Sequence, residues 1–572
     1  MAGKTGNHKI IEQFLADGMN CMFGNPGTVE QGFLDAVADH PEMKYILTLQ
    51  ESIAVMMADG HARATQKPTL VQLHSSPGIG NAVGALYQAK RGHSPLVVIG
   101  ADAGIKYMNM DAQMANDLVA MMEPVTKYST TVLSSKSLLR TLRRAIKIAA
   151  TPPMGPVYVC LPMDILDEIN EETVFPTAIP STRSLPSPEL IEASAKALLE
   201  AENPMMFIGD GVAYSDATTE VVRIAELLGA EVYGVEFGDF IIDNTHPLYQ
   251  GTTGHMFGSF SLPITQKGDA NLIVGTYMVP EVFPDTNDIF NPEATVIHYD
   301  LNAYEIAKNH RVDIGVVCDP KLSLAALADA VEALISPKQK EKAAQKITKL
   351  SLAKKEKHQA ELQTDGQYQG KKIQMAQFAR ALAKKVKMEN TIIFDEGLTS
   401  SPAITRYLPP TKAGHYFVTR GGSLGVGFPG AIGVKLAYPD KTVIGFSGDG
   451  GSMYTIQALW SAIRHKAGAK FIVCNNGSYK LLQLNIDVYW EERTVPARDY
   501  PLSFDLSFPA IRFDLLAQSM GVNAVRVEKE EEIEAAIEKM LADDKPFLID
   551  LVIDGIHDAG KVQDACMHAA SS

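Results

Sequence analysis

Two short segments in the last third of the chain carry residue types that could hold a hard cation and a phosphate. Gly448-Asp449-Gly450-Gly451-Ser452 follows the apolar run 441–447, and Asn475-Asn476-Gly477-Ser478-Tyr479 follows the apolar run 470–474. Both runs read as short buried strands, with an amphipathic helix over 453–465 between them. A strand-helix-strand unit brings both strand ends to one edge of a parallel sheet, the edge where α/β proteins bind ligands. The Asp449 carboxylate and the Asn476 amide oxygen converge there, and Mg²⁺ takes oxygen ligands of this kind, completed by phosphate oxygens. Glycines at 448, 450 and 451 let the backbone approach closely, and the amides that open the next helix suit phosphate oxygens. Alone, Gly-Asp-Gly equally reads as a glycine turn before a helix. The Asn-Asn-Gly one strand-helix-strand unit later makes the pair specific.

The first third of the chain places polar residues by the same logic. A helix over 10–18 precedes a strand at 21–23, which runs into the loop Gly24-Asn25-Pro26-Gly27-Thr28. A strand at 45–50 leads to Glu51 and a helix over 52–65, and a strand at 70–74 leads to Ser75-Ser76-Pro77-Gly78 and a helix to 89. Strands at 96–99 and 156–161 complete a mostly parallel sheet. Thr28, Glu51 and His74 therefore fall at its strand ends. Glu51 also reads as an ordinary acid at a helix N-terminus, favoured by the macrodipole.

The paired glycine and asparagine motifs resemble the Mg²⁺-diphosphate motif of the thiamine-diphosphate (ThDP) enzymes. The first third extends the likeness: Phe23-Gly-Asn-Pro-Gly-Thr28, Leu49-Gln-Glu51 with Ala58-Asp-Gly60, Leu73 to Asn81, His93-Ser-Pro95 and Gly155-Pro-Val-Tyr158 resemble the pyrimidine-binding domain of benzoylformate decarboxylase and its 2-oxo-acid decarboxylase relatives. The resemblance implies an α/β fold of three doubly wound parallel-sheet domains. These are a pyrimidine-binding domain (1–182), a central Rossmann-like domain (189–336) and a diphosphate-binding domain (371–556), with a lysine-rich linker helix over 337–370 and a polar tail at 557–572. It implies catalytic roles for Glu51, which would hydrogen-bond the aminopyrimidine, for His74, and for Thr28, which stands where the relatives have serine. Cofactor contacts fall on Asn81, Thr399, Gly422, Leu424, Gly450, Gly451, Ser452 and Tyr479, with Leu424 as the apolar prop under a bent cofactor. Metal ligands fall on Asp449, Asn476 and the Ser478 carbonyl. The expected activity is ThDP- and Mg²⁺-dependent decarboxylation of a small 2-oxo acid to an aldehyde and CO₂. The alternative is a carboligase that traps the carbanion with a second carbonyl.

One departure bears on that choice. Benzoylformate decarboxylase brings a second active-site histidine from its central domain, whereas the corresponding stretch here, 275–284, has none. Tyr277 and Glu281 are the substitutes in that stretch, and without a placed donor benzoylformate should turn over poorly or give acyloin. The family also implies a homodimer or homotetramer with the active site at the subunit interface. Gly209-Asp210-Gly211 follows a central strand but lacks the full dinucleotide fingerprint, so it reads as a tight turn and FAD is not expected.

The remaining features bound the answer. At 572 residues the chain holds three domains of ordinary size, and 46% apolar with 21% charged residues is globular composition. A net charge of −15 argues against a nucleic-acid partner. No run is long enough to span a membrane, the first residues lack a signal-peptide core, and five scattered cysteines read as reduced thiols, so a cytoplasmic protein is expected.

Overall fold

The computed structural model describes residues 3–235, 238–496 and 498–554; the 557–572 tail and Cys566 lie outside them. Each third of the chain builds one six-stranded sheet, and every pairing within the three sheets is parallel. The first contains β1 (Cys21–Gly24), β2 (Lys44–Leu47), β3 (Thr69–His74), β4 (Leu96–Asp102), β5 (Tyr128–Thr131) and β6 (Val157–Pro162), in the order β2-β1-β3-β4-β6-β5. The second contains β7 (Pro204–Ile208), β8 (Glu231–Gly234), β9 (Tyr249–Thr252), β10 (Ala270–Val274), β11 (Thr295–Asp300) and β12 (Ile314–Val317), in the order β12-β11-β10-β7-β8-β9. The third contains β13 (Thr391–Glu396), β14 (Tyr416–Val418), β15 (Thr442–Gly448), β16 (Lys470–Asn475), β17 (Asn523–Val527) and β18 (Phe547–Val552), in the order β14-β13-β15-β16-β18-β17. The central strands are continuous apolar runs because helices cover both faces of such sheets.

The first and third sheets share one strand order, so they are topological copies although no repeat is legible in the sequence. Their connectivity reverses between β1 and β3 and between β13 and β15, and ligand crevices of doubly wound sheets lie at such points. Thr28 and His74 flank the first crevice; Glu396 and Asp449 flank the second.

These two domains form one packed unit. The helix Glu51–Thr65 lies against Gly427–Ala437, and a methyl added at Gly60 or Gly433 would run into the Gly430 or Met57 carbonyl. Glycine permits this close approach, and the core it closes runs without interruption from Phe23 and Met57 to Phe394, Phe428 and Phe471. Each such phenylalanine contributes about 1.5–3 kcal/mol on burial. The central sheet has its own core. Its last helix is followed by the linker helix Pro337–Gly366, which opens with a Ser336–Gln339 capping box.

Two elements differ from the sequence reading. The strand expected over 45–50 is Lys44–Leu47, because Thr48 turns its hydroxyl back to the Gly24 carbonyl (3.2 Å). Gln50 then caps the following helix by accepting from the Ile53 amide (3.3 Å). The helix expected over 453–465 begins already at Asp449 and is two pieces, Asp449–Thr455 and Ala458–Arg464. At the break Thr455 donates its hydroxyl to the Gly425 carbonyl (2.5 Å), tying the first piece to the glycine loop before Gly427.

Candidate active site

The end of β15 and the end of β16 are pinned together by one carboxylate. Asp449 accepts from the Gly450 amide at 2.8 Å and from the Gly477 amide at 2.6 Å. Burial outweighs those amides and pushes its carboxyl up to about 6, so a cation placed beside it would restore the charged form. Asn476 Oδ1 accepts from the Ser478 amide and hydroxyl, both at 2.9 Å, which aims the amide oxygen at the same turn. Among the described residues no cluster of three His, Cys, Asp or Glu could hold a metal. A cation here would rest on Asp449, Asn476 and the Ser478 carbonyl, with phosphate oxygens for the remainder, the ligand set Mg²⁺ favours. Ser452 donates its hydroxyl to the Gly448 carbonyl (2.7 Å), leaving its amide with that of Gly451 to face an anion, whereas the Gly450 amide is taken by Asp449. The Tyr479 ring packs where a Gly450 side chain would stand.

A cavity of about 540 Å³ opens beside this turn, between the second and third sheets. Thr399, Gly422, Leu424 and Asn476 line it together with Met256, Phe260, Val282, Leu481 and Leu484. Gly422 has φ +73° and open space where a side chain would be, so the chain leaves the cavity clear at a position only glycine holds comfortably. The loop that carries Leu424 is fixed from beneath. Glu396 accepts from the Gly425 amide (2.5 Å), the Gly427 amide (2.8 Å) and the Ser447 hydroxyl (3.0 Å), and burial raises its carboxyl to about 7. The sequence analysis assigned Glu396 no role.

The first domain gathers a second group. Asn81 donates to Glu51 (3.0 Å), and Gly78 leaves no room for a side chain between Glu51 and His74. His74 Nδ1 lies 3.0 Å from the buried carboxylate of Glu30, whose carboxyl burial lifts above its ordinary value against the pull of His74. Glu30 was missed because an acid seven residues after the strand 21–23 has no spacing signature. Thr28 and Asn81 are exposed, and Glu51 and His74 half-buried.

No residue of the first domain lines the cavity beside Asp449. The Leu47 amide donates to His465 (2.9 Å) and its carbonyl accepts from Ser461 (2.9 Å), which puts the end of β2 at the far end of the helical segment that Asp449 opens. Within one chain, then, neither Glu51 nor the residues grouped with it line the cavity.

Correction is needed in the central domain. Neither Tyr277 nor Glu281 lines the cavity: Tyr277 packs under Arg91 and Lys308, and Glu281 is buried against Ser261. Val282 and His255 line it instead. The crevice between β7 and β10 is closed by backbone, with the Gly211 amide donating to the Gly275 carbonyl (2.8 Å). Asp210 there pairs with Arg420 at 2.5 Å, which holds its carboxyl low despite burial.

Three parallel six-stranded sheets with helices make an α/β fold, and the turn at the strand ends of the third has residues that suit a cation and a phosphate. The family models agree: the thiamine pyrophosphate enzyme N-terminal TPP binding domain matches residues 4–121, the central domain 191–327 and the C-terminal TPP binding domain 397–551. The chain belongs to the thiamine pyrophosphate enzymes. It is 29% identical over 553 residues to benzoylformate decarboxylase of Pseudomonas aeruginosa, covering 96% of this chain and 98% of that one. It is also 29% identical over 574 residues to a probable acetolactate synthase large subunit of Methanocaldococcus jannaschii, covering 96% and 92%. Among solved structures, the Rhodococcus jostii RHA1 thiamine diphosphate-dependent 4-hydroxybenzoylformate decarboxylase is similar with a TM-score of 0.81 at 26% identity, covering 96% of this chain and 99% of that one. Among the described residues no helix is long and apolar enough to cross a membrane.

Proposed function

We propose that the protein is a ThDP- and Mg²⁺-dependent decarboxylase of a 2-oxo acid with an apolar, aryl-sized side chain. The observation that carries this reading is the joining of Asp449 and Asn476 to an apolar cavity that contains Leu424 and is walled by Met256, Phe260, Leu481 and Leu484. Bound ThDP would supply the electron sink that decarboxylation needs. The chain's own contributions are distinct. Asp449, Asn476 and Ser478 would hold the cation, and the amides of Gly451 and Ser452 the diphosphate. Leu424 would fix the cofactor's bend on a loop that Glu396 anchors. Thr399, Gly422 and Tyr479 would flank it, and Asn81 would orient Glu51. Glu51 would exchange a proton with the aminopyrimidine.

The separation of Glu51 from the cavity supports a homodimer or homotetramer, in which Glu51, His74, Asn81 and Thr28 of a second copy face the cavity of the first. The closed crevice at Gly211 and Gly275 supports a central domain without FAD. Cys160, Cys318 and Cys474 are buried free thiols, which supports a cytoplasmic setting. CO₂ release from benzoylformate, 4-hydroxybenzoylformate and aliphatic 2-oxo acids tests the reading. Turnover of at least one, lost on removal of ThDP, is expected; failure of all of them would overturn it.

A further inference from the structure

His255 reaches the cavity on a strip of chain just after β9. The Val282 amide donates to the His255 carbonyl (3.2 Å), the Phe283 amide donates to the Met256 carbonyl (2.8 Å), and the rings of Phe257 and Phe283 stack at 5.3 Å. His255, Met256 and Val282 thus line the cavity side by side, in the company of Thr399, Leu424 and Asn476. His255 is the one imidazole among the described residues that line it.

The strip is held under strain. Val279, three residues before Val282, has φ +68°, a left-handed backbone that a β-branched residue rarely adopts and that persists only where its surroundings enforce it. Beneath it, the Ser261 hydroxyl accepts from the Gly254 amide at 2.9 Å and donates to the buried Glu281 carboxylate. A buried carboxylate thereby fixes, through one hydroxyl, the backbone immediately before His255. Met278 and Val279 pack into the apolar cluster under the central sheet, which anchors the strip from one side.

We propose that His255 delivers the proton that completes aldehyde formation, and that Glu281, acting through Ser261, is its positioning residue. The proposal rests on the decarboxylase reading. In the step, the bond between the carboxylate and the former carbonyl carbon breaks and CO₂ leaves. The electron pair of that bond ends in a new C–H bond whose proton comes from the imidazolium N–H, and water returns a proton to the imidazole. One 2-oxo-acid anion and one proton give one aldehyde and one CO₂. Other cations line the same cavity: Arg406 is paired with Asp365 (2.8 Å) and Arg420 with Asp210 (2.5 Å). Lys480, which also lines it, is the rival donor.

The test measures CO₂, aldehyde and acyloin separately for His255→Gln, His255→Ala, Glu281→Gln and Lys480→Gln, with an acceptor aldehyde present. His255→Gln should slow aldehyde release by about 10²-fold and raise the acyloin share. Added imidazole should partly rescue His255→Ala, a response no merely structural role produces. Glu281→Gln should move the product ratio the same way by less, and imidazole should not rescue it. On wild-type protein, mass spectrometry after diethyl pyrocarbonate should find His255 labelled in the cofactor-free form and protected by ThDP with Mg²⁺, whatever the folding of the variants. An unchanged product ratio in His255→Gln, a changed one in Lys480→Gln alone, or labelling of His255 that ThDP does not slow would each overturn the proposal. If wild-type protein releases no CO₂ from any 2-oxo acid, the decarboxylase reading itself fails; if it does and His255→Gln behaves as wild type, only this inference fails.

Discussion

Replacing Glu396 by glutamine should reshape the pH dependence of stability in the cofactor-free protein. The side chain is 1% exposed and takes three hydrogen bonds, yet burial raises its carboxyl from the ordinary 4.5 to about 7. A raised folded-state value means that its contribution to stability is fully present below pH 4.5 and is lost as pH rises through 7. At about 1.4 kcal/mol per pH unit, the loss approaches 3 kcal/mol by pH 8. Glutamine does not titrate, but it turns an NH₂ toward one of the two glycine amides that now donate to Glu396, at a pH-independent cost of about 1–3 kcal/mol. The variant should therefore melt below wild type at pH 5, and the gap should close or reverse by pH 8. At about 1 °C per kcal/mol for a chain of 572 residues the difference between the two melting temperatures should move by about 3 °C over that range. Scanning both proteins at one rate at pH 5, 6, 7 and 8 measures it. A difference that stays constant, or widens as pH rises, would refute the reasoning.

Three further outcomes follow from the site. Glu51→Gln should retain the fold and ThDP affinity but lose about 10²–10⁴-fold in turnover, and a near-wild-type rate would remove Glu51 from the mechanism. Asp449→Ala should abolish Mg²⁺-dependent ThDP binding in calorimetry; unchanged affinity would reassign the cation. Mixing Glu51→Gln with Asp449→Ala subunits should regain activity that neither has alone, because a mixed dimer contains one site with both wild-type residues; no recovery on subunit exchange would argue for a site within one chain.

What the sequence discloses follows the range over which each feature is encoded. Asp449, Asn476 and Gly450 were legible because a strand end, a turn and a helix start fall within a few residues, and the apolar strands around them are continuous. Glu51 and His74 were legible for the same reason. Glu396 was not, since its partners lie 29 and 31 residues away on a loop whose shape the carboxylate itself sets. His255 was missed because the expectation looked for a histidine in 275–284, whereas the fold pairs that stretch with another that also reaches the cavity. Asp210 read as part of a glycine turn; its partner Arg420 belongs to another domain, and no local pattern announces such a pair. That Glu51 does not line the cavity is likewise a property of the whole fold rather than of any segment.

The most direct measurement is CO₂ release by the purified, cofactor-stripped protein from a panel of aryl and aliphatic 2-oxo acids, with and without added ThDP and Mg²⁺. The account predicts release from at least one aryl 2-oxo acid that requires both additions and disappears in Asp449→Ala. Release that is independent of ThDP, or none from any acid in the fully loaded protein, would contradict it.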